Sequence, residues 1–310
     1  MTSGFFTCTD GTRLHVPDGA DPGAGPGGDL DAPVTVILVH CYGLDHREWD
    51  PVLAALDASG APMRVLRYDQ RGYGESGGVT PNTATLAQLG DDLAELIVAQ
   101  VPAGRVVLAG HSMGGMVIMA MAERYPELVT ERVAGVAFVA TACAGMGSLS
   151  LGLPGPVATI VHGLERAGVW LLSAVRRPVL SHYPRVLEPF ARWLVFGEDA
   201  DRGHVAHVAR LLAACRPLTM LLFRPDFDAH DRREALAHLT GSPASVLVGT
   251  RDRLTPPRFA AEIAEWLPGA KYVLVEGAGH MLPYERAPQV AAEIAELVSA
   301  ATATLAVEAS

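Results

Sequence analysis

The chain has 310 residues, of which 49% are hydrophobic and 19% are charged, enough to bury the core of one large α/β domain or of two smaller ones. Its formal net charge of −10, without an extended lysine and arginine cluster, argues against a nucleic-acid partner. Four cysteines lie far apart and form no CxxC pair, so neither a disulfide framework nor a metal site is expected.

The amino terminus, "MTSGFFTCTDGTR", lacks the basic segment and apolar run of a signal peptide. No uninterrupted apolar run approaches the length of about 20 residues that crosses a bilayer. We therefore expect a cytoplasmic protein without a membrane partner.

The first predicted elements form a hairpin, because Phe5–Thr9 and Thr12–Val16 flank the turn dipeptide Asp10-Gly11. The proline- and glycine-rich stretch from Val16 to Pro33 predicts a surface loop. Apolar runs that follow predict six buried strands, at Val34–Val39, Arg64–Tyr68, Val106–Ala109, Val133–Ala140, Ser245–Val248 and Tyr272–Val275. Amphipathic stretches predict helices at Trp49–Ala58, Leu86–Gln100, Met113–Tyr125, Arg258–Trp266 and Gln289–Ala300. Buried strands separated by helices indicate a mostly parallel sheet covered on both faces.

One interval, residues 144–230, contains helical pieces and bulky apolar residues but no convincing strand. We interpret it as a helical cap inserted into a core formed by residues 1–143 and 231–310. An additional layer of core helices is the alternative interpretation.

The strongest motif is G-x-S-x-G at Gly110 to Gly114, between an apolar run and a helical stretch. A serine on a tight strand-to-helix turn exposes its Oγ, and small neighbours let the turn close. The helix N-terminus then supplies backbone N–H groups beside the reacting centre. Ser112 is the predicted nucleophile.

A serine nucleophile needs a base and a group that orients the base. Asp252 follows one apolar strand, in "VLVGTRDRLTPP", and His280 follows the next, in "YVLVEGAGHMLPYERAP". Both therefore belong at the same sheet edge as Ser112, where ligands bind in open α/β sheets. The order Ser, Asp, His is the one expected for this arrangement.

With these motifs, and with "VILVHCYG" and "RYDQRGYGES", the chain resembles the α/β-hydrolase superfamily from Thr12 to about Leu297 outside the cap interval. The resemblance implies an α/β-hydrolase fold and an oxyanion hole made by the backbone N–H groups of Tyr42 and Met113. Asp69 and Arg71 match the superfamily's D-x-R-G-x-G-x-S turn, for which we favour a structural role over a catalytic pair. His40, Cys41 and His111 adjoin these loops and are expected to shape the substrate site.

Cys41 departs from the family pattern, which usually has glycine after this histidine, so it narrows the expected oxyanion pocket. A nucleophilic Cys41 with His40 as its base is the alternative, but adjacent side chains in an extended chain point to opposite faces.

The sequence thus predicts a serine hydrolase of the carboxylesterase type. Ser112, His280 and Asp252 would cleave an ester, thioester or lactone of a small to medium apolar substrate through an acyl-enzyme, without a cofactor. Two alternatives remain: elimination or acyl release by the same serine and histidine, and a non-enzymatic binding protein on this scaffold.

Overall fold

The computed structural model describes residues 4–17, 34–60, 62–148 and 179–308, with isolated positions between 159 and 171. Most of the predicted loop over residues 16–33 and part of the predicted cap lie outside these ranges.

The central sheet has six parallel strands in the order β4-β3-β5-β6-β7-β8, and the preceding hairpin, β1-β2, is antiparallel. The strands are β1 Gly4–Thr7, β2 Arg13–Val16, β3 Val34–Val39, β4 Arg64–Arg67, β5 Arg105–His111, β6 Val133–Val139, β7 Ala244–Gly249 and β8 Lys271–Val275. The predicted hairpin and all six predicted buried strands are therefore confirmed, with ends that differ by up to two residues.

The described helices are α1 Asp50–Ser59, α2 Leu86–Gln100, α3 Met113–Arg124, α4 Pro126–Arg132, α5 Glu188–Val195, α6 Arg202–Ala214, α7 Pro217–Asp228, α8 Pro257–Trp266, α9 Leu282–Glu285 and α10 Ala287–Glu308. Short 3-10 segments lie at His46–Trp49, Met146–Ser148, Val179–His182, Pro184–Leu187 and Glu234–Leu239.

Both faces of the sheet are covered, which explains why the strand sequences do not alternate in polarity. Every residue of β3 is buried. Ile37 and Val39 face a core that includes α2 and α3, whereas Val36 and Leu38 face a second core with α1 and α10.

Helix α10 is long and apolar enough to cross a membrane by length and composition. It packs along the sheet, however, and its buried residues include Val290, Ile294 and Val298. These contacts are those of a core helix in a folded domain.

Between β6 and β7, the described residues contain helices and no strand. The two ends of this interval meet, because Ala144 forms an isolated antiparallel bridge with Asp231. Helices α5 and α6 contribute Val195 and Leu211 to an apolar cluster shared with Cys41 and Leu44, at the exit of β3. Helices α5 and α6 therefore pack over this sheet edge. The helical cap over residues 144–230 stays a prediction.

Candidate active site

Ser112 lies on the turn between β5 and α3 with φ 51° and ψ −114°. A positive φ is uncommon and strained for a residue other than glycine, and such strain is held by surrounding contacts. Here the Ser112 N–H donates to the Val139 carbonyl (2.9 Å), and the Thr141 hydroxyl donates to the Ser112 carbonyl (2.6 Å). Strand β6 and the residues that follow it thus hold the serine in its strained conformation.

Two glycines of the motif are required by close packing. A Cβ on Gly114 would lie 2.1 Å from the Val39 carbonyl oxygen, and one on Gly110 would lie 2.5 Å from the Gly114 carbonyl carbon. No side chain fits at such distances, so the turn can close against the end of β3 only with glycine at these positions.

His280 and Asp252 meet at the same sheet edge. His280 Nδ1 lies 2.8 Å from Asp252 Oδ2, and both side chains are buried. The ionised carboxylate can only accept, so Nδ1 carries the proton and Nε2 has the free lone pair of a base. In the part of the chain that the structure describes, the Ser112 hydroxyl makes no hydrogen bond. Catalytic hydrogen bonds of this kind often form only with substrate bound.

Asp252 is kept ionised by its partners. Burial alone would raise its pKa, but the charge and hydrogen bond of His280, together with hydrogen bonds from Thr255, hold the pKa below its usual value. Oδ1 accepts the N–H groups of Leu254 and Thr255 (2.8 Å each), and Oδ2 also accepts the Thr255 hydroxyl (2.8 Å). The carboxylate is therefore fixed on both oxygens and can orient His280.

His40 braces the loop that follows β3. Its Nε2 accepts the Gln70 N–H (2.8 Å), so its proton is on Nδ1, which donates to the Cys41 carbonyl (2.8 Å). In a trans peptide the carbonyl and the next N–H point in opposite directions. His40 therefore fixes the direction of the Tyr42 N–H, the predicted oxyanion donor. Met113, the other predicted donor, is the first residue of α3, where backbone N–H groups have no acceptor within the helix.

Cys41 is a buried packing residue in this structure, with 5% of its surface exposed. Burial, reinforced by the charge of Glu48, raises the pKa of its thiol well above the usual value. Both nitrogens of His40 are engaged elsewhere, so His40 cannot deprotonate this thiol. The backbone at Cys41 lies outside the left-handed region, which Gly43 occupies instead with φ 80°. The backbone therefore does not require glycine at position 41.

His111, the last residue of β5, contacts the loop that carries His280. Its Nε2 lies 2.9 Å from the His280 carbonyl oxygen, and its Nδ1 lies 3.3 Å from Glu48 Oε1. The ring centroids of His111 and His280 are 4.9 Å apart. Glu48 also accepts the Cys41 N–H on Oε1 (2.9 Å).

Asp69 and Arg71 do not pair with each other. The Asp69 carboxylate accepts hydrogen bonds from Nδ1 of His15 (2.9 Å) and of His46 (2.6 Å). Arg71 instead forms ion pairs with Asp92 and Asp10. These bonds join the hairpin, the loop after β3 and helix α2. The structural role predicted for this turn agrees with these contacts.

Two groups of side chains could bring ligand atoms within 4.8 Å of one another around a metal ion: His15 with His46 and Asp69, and Cys41 with Glu48 and His111. In the first group both Nδ1 atoms already donate to Asp69, so a metal would have to displace both protons. This group lines a cavity of about 370 Å³ that neither Ser112 nor His280 lines.

The sequence predictions missed Thr255, Gln70, Thr141 and Glu48. Thr255 could have been found, because a threonine three residues after an aspartate commonly donates its N–H to the carboxylate. The other three meet their partners only through long-range packing.

Comparisons with known proteins identify the family to which a chain with this sheet order belongs. Residues 36–294 match the model of the alpha/beta hydrolase family, and the chain belongs to this family. It is similar to a putative carbamate hydrolase, RutD, of Yersinia enterocolitica (31% identity, over 85% of this chain and 86% of the relative).

Two further relatives are more distant. A pimeloyl-[acyl-carrier protein] methyl ester esterase of Neisseria meningitidis is 26% identical, over 81% of this chain and 87% of its own. The crystal structure of an enol-lactonase from Burkholderia xenovorans superposes with a TM-score of 0.71 and 25% identity, over 95% of this chain and 99% of that one. The predicted α/β-hydrolase fold is confirmed, and the chain is an enzyme of the hydrolase class.

Proposed function

We propose that this enzyme hydrolyses carboxylic esters through an acyl-enzyme on Ser112. Ser112 Oγ attacks the acyl carbonyl while His280 Nε2 takes its proton, and His280 then returns that proton to the leaving alcohol. Water, activated by the same nitrogen, releases the acid. Asp252 orients His280 and stabilises the imidazolium, and the N–H groups of Tyr42 and Met113 stabilise the oxyanion.

One observation carries this proposal: the hydrogen bond between His280 Nδ1 and Asp252 Oδ2 gives His280 the tautomer of a general base. It lies at the sheet edge where β5 ends in the strained Ser112. An orienting acid, a base and a serine on a strand-to-helix turn are the three parts that nucleophilic acyl transfer requires.

The acyl group is proposed to be apolar and of small to medium size. Cys41, Leu44 and Leu211 belong to a buried apolar cluster where the insertion packs over the loop after β3. Thioesters and lactones have the same reacting carbonyl and are within the same proposal.

Carbamate hydrolysis is a second candidate, because the relative with 31% identity is a putative carbamate hydrolase. A carbamate also presents a carbonyl next to a leaving heteroatom, so the same serine and histidine could attack it. Nitrogen beside the carbonyl makes it less electrophilic, and we expect esters to react faster.

The test compares native enzyme with Ser112→Ala on p-nitrophenyl esters and a p-nitrophenyl carbamate, with Ser299→Ala on α10 as the matched control. Native enzyme and control should turn over the ester, and a fluorophosphonate should label both; Ser112→Ala should do neither. In H₂¹⁸O, hydrolysis places the label in the product acid, whereas elimination leaves the acid unlabelled. Ester turnover by Ser112→Ala equal to the native rate would refute the proposal.

A further inference from the structure

Glu48 is a carboxylic acid in a place where acids are rarely found. It lies in the 3-10 turn His46–Trp49, its side chain is fully buried, and its Oε2 has no hydrogen-bond partner among the described residues. A buried polar atom without a partner is costly, so a residue kept there for packing alone would be apolar. Glu48 therefore needs another explanation.

The hydrogen bonds around His111 show that this acid shares a proton with it. The His280 carbonyl can only accept, so His111 Nε2 carries a proton. His111 Nδ1 faces Glu48 Oε1 at 3.3 Å, and an ionised Glu48 facing a bare Nδ1 would set two lone pairs against each other. A proton on one of these two atoms makes the contact a hydrogen bond between Glu48 and His111.

The pair joins two parts of the proposed active site. On one side, Glu48 Oε1 accepts the N–H of Cys41, whose carbonyl belongs to the peptide that carries the Tyr42 N–H. On the other side, His111 donates to the carbonyl of His280 itself. The backbone of His280 is also held by its N–H bond to Val195 (2.8 Å), so these contacts fix the position of the base.

We propose that Glu48 is a positioning residue for ester hydrolysis: its buried pair with His111 sets the distance between the oxyanion loop and His280. The inference rests on the proposed function. Glu48 touches no reacting atom and acts by holding Cys41 and His111, and through them the oxyanion donor at Tyr42 and the base at His280.

The test uses the full-length enzyme and three variants. Glu48→Leu removes both hydrogen bonds at nearly constant volume, and Glu48→Gln keeps an acceptor for the Cys41 N–H but removes the shared proton. Glu293→Leu is the matched control, because Glu293 is a buried glutamate that bonds Ser245, remote from the site.

We expect Glu48→Leu to lower kcat for a p-nitrophenyl ester by about 10- to 100-fold and to change KM less than threefold. Displaced catalytic groups stabilise the transition state less well, whereas the binding of the substrate is unaffected. The rate of fluorophosphonate labelling at Ser112 should fall in parallel. Glu48→Gln should lie between native enzyme and Glu48→Leu. Glu293→Leu should change the thermal midpoint without changing kcat.

A Glu48→Leu enzyme with native kcat, a loss confined to KM, or a Glu48→Gln no better than Glu48→Leu would overturn the inference. If Glu48→Leu does not fold, His111→Phe replaces it and should show the same loss of kcat. The double variant with Glu48→Gln should lose little further kcat, because the two residues act as a unit. Native Glu48→Gln kinetics would then overturn the inference. A native enzyme that neither turns over esters nor labels at Ser112 overturns the proposed function, whereas an active enzyme insensitive to Glu48 overturns this inference alone.

Discussion

Replacing Asp252 with asparagine should remove most of the activity without removing the residue's contacts. Two backbone N–H groups, of Leu254 and Thr255, donate to Oδ1, so the amide oxygen of asparagine must take that position. The Nδ2 group then replaces Oδ2 and points its hydrogens at His280 Nδ1 and the Thr255 hydroxyl. His280 Nδ1 must become the acceptor, which moves the ring proton to Nε2.

With its proton on Nε2, His280 cannot take the proton of Ser112. We expect kcat to fall by about 10⁴-fold, the loss that the same wrong tautomer causes in serine proteases. This corresponds to about 5.5 kcal/mol of lost transition-state stabilisation. KM should change little, because Asp252 is buried and acts through His280.

The assay is steady-state kinetics with a p-nitrophenyl ester, with Thr255→Val as the control. That variant keeps the shape of the side chain but loses the hydroxyl bond to Oδ2. Its kcat should fall by about 100-fold at most, the range of one hydrogen bond to a charged group. An Asp252→Asn enzyme within tenfold of the native kcat, with a folded circular dichroism spectrum, would refute the assignment of the base.

Three further predictions concern the proposed site and the stability of the fold. Cys41→Gly should lower the free energy of unfolding by about 1–2 kcal/mol, because apolar contacts are lost. It should also raise the ratio of kcat/KM for bulky acyl esters to kcat/KM for acetate esters, and an unchanged ratio would contradict a restricting role of Cys41. Gly114→Ala should destabilise the fold by about 3 kcal/mol in urea denaturation, since its Cβ meets the Val39 carbonyl at 2.1 Å, and a loss under 1 kcal/mol would contradict this. Burial lowers the pKa of His230 from 6.5 to about 4, so between these values the unfolded chain binds a proton that the folded chain does not. The free energy of unfolding should therefore fall by up to about 1.4 kcal/mol per pH unit on acidification. In His230→Gln, which can still donate to the Ala142 carbonyl, this contribution to the pH dependence of the free energy of unfolding should be absent.

The sequence predicts the sheet well, and it points to three catalytic candidates, because both signals are local. Strand β3 and helix α2 begin and end where the apolar pattern places them. Ser112 directly follows β5, and Asp252 and His280 lie three and five residues after the ends of β7 and β8. Parallel strands bring their carboxyl ends to one edge.

Apart from Thr255, the supporting residues are not predictable, because their roles arise from contacts between distant parts of the chain. Glu48 stands in a polar stretch, "LDHREW", that suggests exposed surface, yet packing buries it against His111, 63 residues away. Helix α4 was missed for a different reason: it begins at Pro126, directly after α3, and a proline next to a predicted helix end is easily taken for a simple stop.

The most direct test of the account is to find the acyl group itself. Native enzyme mixed with an activated ester, quenched in acid during turnover and digested, should give a peptide carrying the acyl mass on Ser112. The same experiment with Ser112→Ala should give no adduct. Turnover without any acylated peptide, or an adduct on another residue such as Cys41, would contradict the central claim that Ser112 is the nucleophile.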